Sequence, residues 1–147
     1  RKNVERLVSY AQARTEAGSA VRQTFRNEIA DRAIETSICQ LLSFVVISIQ
    51  AKGGVPNMEA SMCKMYGSEL SQRIAGMKMH LAGMYGQERK ASGLQDAHSI
   101  NAAQEYMQTV PATIAAGTSE IQRNIIAERL LRMPREPKTW QLAEERS

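Results

Sequence analysis

Apolar residues recur every three or four positions along most of this chain of 147 residues, which is the spacing of amphipathic α-helices. The spacing predicts a short helix over residues 1–15 and two long helices, over 19–51 and from 57 to about 85. It also predicts shorter helices over 97–107 and 119–133. Two long helices joined by a short loop must lie antiparallel, so the sequence predicts an all-α, up-and-down four-helix bundle.

Glycine, proline and capping residues predict where these helices begin and end. The pair Gly53-Gly54 is typical of a left-handed helix stop, and Asn57 is a candidate N-cap for the second long helix. Pro111 is expected to end the helix before it or to prevent its continuation. Ser119 and Gln122 have the spacing of a capping box. The buried side of the last helix is predicted to consist of Ile121, Ile125, Ile126 and Leu130.

Composition favours the same fold class. Aromatic residues make up only 5% of the chain, whereas there are eight Met, so the core must consist of aliphatic and Met side chains, which are mostly good helix formers. The β-branched run over 44–49 could form a buried strand, but the helical spacing before it favours a helix. The chain is large enough for one core. We expect one bundle domain over 1–137, followed by a loosely ordered tail over 138–147.

Charge, cysteines and apolar runs exclude several classes of function. Nineteen Lys and Arg against fifteen Asp and Glu give a net charge of +4, but the signs are interspersed, so no nucleic-acid partner is expected. Cys39 and Cys63 lack metal-binding spacing, which favours a reducing compartment over a disulfide scaffold or a zinc site. The longest apolar run, 41–49, is far shorter than the roughly 20 residues of a membrane span, so none is expected.

Most catalytic motifs are absent from the sequence. It contains no HExxH, GxSxG, GxGxxG, Walker loop or paired Glu-xx-His, and His80 and His98 stand alone. The loop Gly117-Thr118-Ser119 is more informative. It precedes a predicted helix, where backbone N–H groups, a small residue and two hydroxyls suit close approach to a flavin or a phosphate. The alternative is that Thr118 and Ser119 only cap the helix.

The segment over 115–131, AAGTSEIQRNIIAERLL, resembles the C-terminal signature of the acyl-CoA dehydrogenases. In that family a loop of the form E-G-T-S-x-I-Q leads into a helix R-x-I-I-A-x-x-L. The start of the second long helix, PNMEASMCK, and its end, LAGMYG, are also similar to the family. The resemblance spans about 19–137. It implies the C-terminal helical bundle of a longer enzyme, paired with itself or with a paralogous subunit in dimers or tetramers.

The function that the resemblance implies is the oxidation of an acyl-CoA thioester to its trans-2-enoyl form with FAD as cofactor. A carboxylate takes the α-proton while the β-hydrogen leaves as hydride. The implied electron acceptor is an electron-transfer flavoprotein or a similar protein, and the implied location is cytoplasmic, or the mitochondrial matrix in a eukaryote. The isolated fragment is not expected to turn over substrate, because the remaining parts of the enzyme are needed to hold flavin and CoA.

The family motifs also imply positions for the binding residues. Thr118, Ser119 and Glu120 match the triplet that touches FAD in the family, and Gly117 and Ala116 match positions beside the substrate.

A second and a third motif imply further cofactor contacts. His80 and Gly83 match a helix end of the form Q-ϕ-x-G-G, which pairs with the flavin of a neighbouring subunit, although His replaces Gln and Met84 replaces a glycine. Arg14 matches the arginine of R-x-x-F-G, which binds the FAD pyrophosphate. The alternative for Arg14 is a solvated residue at a helix end.

The catalytic base is the clearest departure from the family. Ala116 stands where the best-known branch has its catalytic Glu, and a methyl group accepts no proton. Either the base lies on a helix upstream of this region, or the chain is the non-catalytic partner of a heteromeric enzyme. The first interpretation is favoured. Ala115 and Ala116 together leave room beside the substrate, which is expected to suit a bulky or branched acyl group.

Overall fold

The computed structural model describes residues 2–16, 23–87 and 101–135. These residues form five α-helices and no strand, which confirms the predicted all-α class. The helices are α1 (Lys2–Glu16), α2 (Gln23–Ala51), α3 (Asn57–Ala82), α4 (Ala102–Ala112) and α5 (Ser119–Arg129). A 3₁₀ turn, Gly83–Gln87, follows α3 directly. The expected tail over 138–147 lies outside the described residues.

The central element is α3, which contacts each of the other four helices. Val4 of α1 packs with Leu70 and Ile74 of α3, and Leu7, one turn later, packs with Met77 and Leu81. Contacts that advance in the same order on both helices mean that α1 runs parallel to α3.

The other three helices alternate in direction around α3. Phe25, near the start of α2, packs with the cluster at the end of α3, whereas Cys39 lies at the cluster in its middle, so α2 is antiparallel to α3. Glu105, near the start of α4, pairs with Lys78 near the end of α3. Thr113, at the end of α4, contacts Lys64 near the start of α3, so α4 is antiparallel to α3. Gly117, just before α5, also contacts Lys64. Arg123 within α5 pairs with Glu69 further along α3, so α5 is parallel to α3. Helices α2 to α5 therefore form the predicted up-and-down bundle.

The long helix α2 includes the β-branched run over 44–49, as predicted, and it ends at a glycine stop. Gly53 has a φ of 77°, and its N–H donates to the carbonyl of Gln50 at 2.9 Å. The N–H groups of Lys52 and Gly54 both donate to the carbonyl of Ile49. These bonds satisfy carbonyls that the helix end leaves open, so the Gly53-Gly54 prediction is confirmed.

Several predicted boundaries are wrong by a few residues: α3 ends at Ala82 and not at about 85, α4 at Ala112 and not at 107, and α5 at Arg129 and not at 133. Asn57 is the first helical residue of α3 and not its N-cap, because Pro56 takes that position without a side-chain hydrogen bond. α4 continues through Pro111 and ends at Ala112. The proline is tolerated there because the hydrogen bond that it removes belongs to the last turn of the helix.

The predicted capping box of α5 is wrong, and its predicted buried side is only partly right, because Ile125 and Ile126 are half-buried. The N-cap is Thr118, and Ser119 is the first helical residue. The buried residues of α5 are Ser119 and Gln122, whereas Ile121 and Leu130 are 50% and 44% exposed. The side of α5 that faces the rest of the bundle thus carries polar contacts to the loop before it.

The outer side of α2 is apolar and exposed, so part of its predicted apolar stripe is not core. Ile34, Leu41 and Phe44 are each at least 60% exposed. Among the described residues, α2 is the one helix that is long and apolar enough to cross a bilayer by length and composition, a test that core helices of globular proteins also pass. Its opposite side contacts α3, where Ser43 Oγ lies 3.4 Å from Cys63 Sγ.

Candidate functional site

The loop over 113–118, between α4 and α5, has an unusual backbone. Ala116 has a φ of 55° and Gly117 a φ of 91°, so two successive residues are in the left-handed region. A Cβ atom on Gly117 would lie 2.8 Å from Nε2 of Gln122. The left-handed conformation favours glycine at this position, and a larger residue would also displace the Gln122 amide.

Two residues in the first turn of α5 donate hydrogen bonds to carbonyl groups of this loop. The N–H of Ser119 donates to the carbonyl of Thr113 at 3.1 Å, and Nε2 of the buried Gln122 donates to the carbonyl of Ala116 at 3.0 Å. The loop is thus folded back on the helix that it precedes.

A third residue, Lys64, holds the loop from α3. Its ammonium group donates to the carbonyl of Gly117 and, at 3.4 Å, to the carbonyl of Thr113. Thr113 follows the last residue of α4, so the lysine charge also lies at the negative end of that helix dipole.

The first turn of α5 is capped and electropositive. Oγ1 of Thr118 accepts a hydrogen bond from the N–H of Ile121 at 3.3 Å. The pKa of the Glu120 carboxyl lies below its usual range, because the carboxylate accepts from its own backbone N–H and from the Thr118 hydroxyl, with the charges of Arg123 and Lys64 adding to the effect. The Glu120 carboxylate itself therefore lies at the positive end of the α5 dipole.

Ser119 is a buried polar residue with an unused hydroxyl. Its exposed fraction is 7%, and its Oγ has no hydrogen-bond partner among the residues that the structure describes. Leaving a buried hydroxyl unpaired costs about 1–3 kcal/mol, and such groups call for an explanation. A ligand atom reaching this hydroxyl would supply the missing partner.

The loop and α5 border an open cleft of about 500 Å³ against α3. Thr118, Ser119 and Glu120 line it on one side. Glu69, Gln72 and Arg73 of α3 line the other.

The charged residues of this cleft form a network between helices. Nη2 of Arg123 lies 2.6 Å from Oε1 of Glu69, and Nη1 of Arg73 lies 3.9 Å from Oε2 of the same carboxylate. Arg73 also lies 3.5 Å from Glu35 on α2, and Arg123 lies 3.8 Å from Glu120. Alternating charges thus tie α5 to α3 and α3 to α2, so the cations of the cleft are already paired.

The other predicted cofactor residues do not join this loop. His80 is exposed in the last turn of α3, and Gly83 follows it at the helix end with a φ of 61°. Lys64, which contacts the loop, precedes His80 by sixteen residues on the same helix, or roughly 24 Å along the axis. Arg14 lies on α1, but its side chain falls outside the described residues.

The structure therefore brings one of the predicted sets together within a single chain. Ala116, Gly117, Thr118, Ser119 and Glu120 form one loop and helix start, and His80 and Gly83 lie elsewhere. The implied role of the α3 end toward a neighbouring subunit stays a prediction.

Sequence reasoning missed Lys64, Gln122 and the Glu69–Arg123 pair. The only signal for Lys64 was its place at the end of PNMEASMCK, which indicated a helix start and not a loop contact. For Gln122 the sequence predicts a different role, that of a partner of Ser119 in a capping box. In fact its amide spans back to Ala116.

A second pocket, of about 420 Å³, lies among α1, α3 and α4. Lys78, whose side chain is only 1% exposed, pairs there with Glu105, and Arg6 lies 3.5 Å from the other oxygen of that carboxylate. In the described part of the chain, no group of three or more His, Cys, Asp or Glu residues could hold a metal ion.

The five helices and the left-handed loop before α5 define an all-helical domain with a candidate ligand site at its last helix start. Residues 1–131 match the family model described as "Acyl-CoA dehydrogenase, C-terminal domain". The chain belongs to this family, as the sequence resemblance indicated.

Individual relatives agree with the family. The chain is 26% identical over 131 residues to the "Caffeyl-CoA reductase-Etf complex subunit CarC" of Acetobacterium woodii, a match that covers 88% of this chain and 32% of that protein. The chain thus spans about a third of the length of this relative.

Solved structures show the same fold. A structure named "Tcur3481-Tcur3483 steroid ACAD" superposes with a TM-score of 0.77 at 20% identity, covering 90% of this chain and 35% of that one. A glycine-to-alanine variant of the same protein gives a TM-score of 0.75 at 21% identity, covering 92% of this chain and 34% of that one. At these identities, the likeness concerns the fold alone.

Proposed function

We propose that this chain is the C-terminal domain of an FAD-dependent acyl-CoA dehydrogenase that introduces a double bond between the α and β carbons of an acyl-CoA thioester. Membership of the family supports the reaction class. The observation that carries the cofactor assignment is the buried, unpaired hydroxyl of Ser119 beside the capped start of α5.

The residues present fit the cofactor. An open cleft borders Thr118, Ser119 and Glu120, and the Ser119 hydroxyl that lines it is free to donate a hydrogen bond to the cofactor. In this proposal these three residues hold FAD, whereas Gly117 and Ala116 lie beside the acyl chain. When bound, FAD supplies the acceptor for the hydride that leaves the β-carbon.

The chain's own residues would bind and orient the ligands. The Ser119 hydroxyl would hydrogen-bond to the cofactor and fix its position relative to α5. The left-handed backbone at Gly117 would let the substrate approach the main chain without a Cβ atom between them. His80 and Gly83 would contact the FAD of a neighbouring subunit, which makes a dimer or tetramer part of the proposal. Arg14 would bind the FAD pyrophosphate.

The proton acceptor for the α-proton must come from outside the loop, because Ala116 has only a methyl group there. In the first version of the proposal, an upstream helix of the same protein supplies a carboxylate. In the second, this chain is the non-catalytic subunit of a heteromeric enzyme and the partner subunit supplies the base. Ala116 fits both versions, and the first is the one we favour. The name of the structural neighbour, which joins two components, supports the second as the alternative.

The acyl group is proposed to be bulky or branched. Ala115 and Ala116 are small and exposed, which leaves room beside Gly117. The steroid named in the structural neighbour agrees with this reading. A panel of acyl-CoA thioesters tests it on the full-length protein with its partner subunit: we expect the highest kcat/KM with a branched or ring-bearing acyl group, and a preference for short straight chains would contradict it.

Cofactor binding is tested by titrating FAD into the full-length protein. We expect a yellow complex with one FAD per site, and a protein that stays colourless would contradict the proposal. Activity is then assayed with acyl-CoA and an electron-transfer flavoprotein or a dye as acceptor, with and without a candidate partner subunit. Turnover by this protein alone supports the first version, and turnover only in the complex supports the second. We also propose the cytoplasm, or the mitochondrial matrix in a eukaryote, as the compartment.

The variant Ser119→Ala separates ligand binding from folding. In the absence of FAD, we expect the free energy of unfolding to stay the same or to rise, because the substitution removes an unpaired buried hydroxyl. With FAD, we expect Kd to rise about fivefold to tenfold, the effect of one hydrogen bond of about 1 kcal/mol. Ser37→Ala on the exposed part of α2 is the control and should change neither quantity.

A further inference from the structure

We propose that Lys64 is a positioning residue for the loop over 113–118: its ammonium group fixes the Gly117–Thr118 peptide so that the N–H of Thr118 points away from α3. The proposal rests on the function proposed above in treating this loop as the cofactor contact. Its structural part, the fixing of one peptide plane, is tested separately.

The contacts of Lys64 support this role. One ammonium group donates to two carbonyl oxygens, one at the end of α4 (Thr113) and one directly before the N-cap of α5 (Gly117). Lys64 is half-buried, and it forms no ion pair with a carboxylate in the part of the chain that the structure describes. The Lys64 ammonium group therefore forms its hydrogen bonds with the main chain of the loop. Such charge-assisted hydrogen bonds are stronger than neutral ones.

The planarity of the peptide bond converts this contact into an orientation. The described residues contain no cis peptide bond, so each carbonyl points opposite to the N–H group of the next residue. Because the carbonyl of Gly117 points at Lys64, the N–H of Thr118 points away from it. Gln122 acts in the same way on the preceding peptide: its amide binds the carbonyl of Ala116, so the N–H of Gly117 points away from Gln122.

The left-handed backbone gives this arrangement a chemical consequence. Successive N–H groups in a left-handed turn can converge on one negative atom, as in the anion-binding concavities of other loops. Glycine and alanine have no side chain that could hold such a turn in place. The direction of these N–H groups therefore depends on the neighbouring side chains that bind the carbonyls, and Lys64 is the charged one.

The experiment uses the full-length protein in its oligomeric state and compares Lys64→Met with Lys64→Arg. The control is Lys52→Met, because Lys52 is exposed at the end of α2 and lies far along the chain from the loop. Hydrogen–deuterium exchange of residues 114–118 is measured without FAD, and the FAD dissociation constant is measured by titration. The thermal midpoint reports on any general loss of stability.

For Lys64→Met we expect faster exchange within 114–118 and a rise in FAD Kd of about tenfold or more, because a charge-assisted hydrogen bond is lost. Lys64→Arg should keep the charge and restore Kd to within about threefold of the wild type, since a guanidinium can reach the same carbonyls. Lys52→Met should behave as the wild type. If Lys64→Met does not fold, Lys64→Gln, which keeps a neutral donor, should show the same two changes to a smaller extent.

The proposal is overturned if neither Lys64→Met nor Lys64→Gln changes exchange in the loop, or if Lys64→Arg is as impaired as Lys64→Met. It is also overturned if Kd rises only in proportion to a loss of stability that the arginine variant shares. A wild-type protein that binds no FAD would contradict the proposed function instead. In that case the exchange measurement would still decide whether Lys64 orders the loop.

Discussion

Two lysines of α3 differ in what they bind. Lys78 is almost completely buried, and its partner is the carboxylate of Glu105, which also lies 3.5 Å from Arg6. Lys64, fourteen residues earlier, is half-buried and binds main-chain carbonyls. A buried cation with a carboxylate partner affects the stability of the packed helices, whereas a cation on loop carbonyls determines a local shape. The same residue type on one helix therefore supports the bundle at one position and the candidate site at another.

The largest effect is expected when Lys78 loses its partner. Glu105→Ala leaves a buried ammonium group without a carboxylate, which typically destabilises a protein by about 3–5 kcal/mol. We expect a decrease of this size in the free energy of unfolding, measured by urea denaturation with FAD absent. The loop over 113–118 should keep its wild-type hydrogen exchange, since Glu105 has no bond to it.

The matched variants are Lys78→Met and the double variant Lys78→Met with Glu105→Ala. Replacing a buried ion pair with apolar groups is often neutral or stabilising, so Lys78→Met alone should cost less than Glu105→Ala. The double variant should recover most of the stability lost in Glu105→Ala. If the double variant is as unstable as Glu105→Ala, then Glu105 stabilises the bundle through contacts other than its pair with Lys78.

An intermediate effect is expected at the loop that Lys64 holds. Gly117→Ala places a Cβ atom 2.8 Å from Nε2 of Gln122 at a φ of 91°. Backbone strain of this kind costs about 1–3 kcal/mol, and relieving the contact would move the Gln122 amide off the carbonyl of Ala116. We expect lower stability in urea together with weaker FAD binding.

Gly53→Ala provides the control for Gly117→Ala. Gly53 has a φ of 77°, but a Cβ atom there would meet nothing within 4 Å. This variant carries the conformational strain without the clash, and it should leave the FAD Kd unchanged. Equal losses of FAD affinity in both variants would mean that the Gln122 contact does not shape the loop.

The helical bundle was predictable from sequence because the 3.6-residue period persists over two long helices. The amount of each apolar face that is covered was not predictable. Periodicity assigns Ile34 and Leu41 to a stripe, yet both are largely exposed, because a period says which residues share a face and not what packs on it.

The candidate loop was found through its motif, but its contacts were not. Thr118 and Ser119 are adjacent capping residues, and the spacing from Ser119 to Gln122 favoured the wrong one. Which of the two residues is the N-cap depends on the left-handed backbone at Gly117. With this backbone, the Gln122 amide binds the carbonyl of Ala116 and the Ser119 hydroxyl has no partner among the described residues. Likewise, Lys64 and Lys78 look alike in the sequence, because their partners lie 53 and 27 residues away.

The smallest effect is expected for a carboxylate of the exposed network at the cleft. Glu69 binds Arg123 at 2.6 Å, and it also lies 3.9 Å from Arg73. The side chains of these arginines are 53% and 38% exposed, however, so water replaces the lost partner and salt screens the charges. Glu69→Gln should therefore cost less than about 1 kcal/mol, and the loss should shrink further in 1 M salt. Both are measured by urea denaturation beside Glu105→Ala. If Glu69→Gln lowered the free energy of unfolding as much as Glu105→Ala, burial would not explain the difference expected between the two carboxylates. The ion pairs from α2 to α5 would then have to act as one cooperative network.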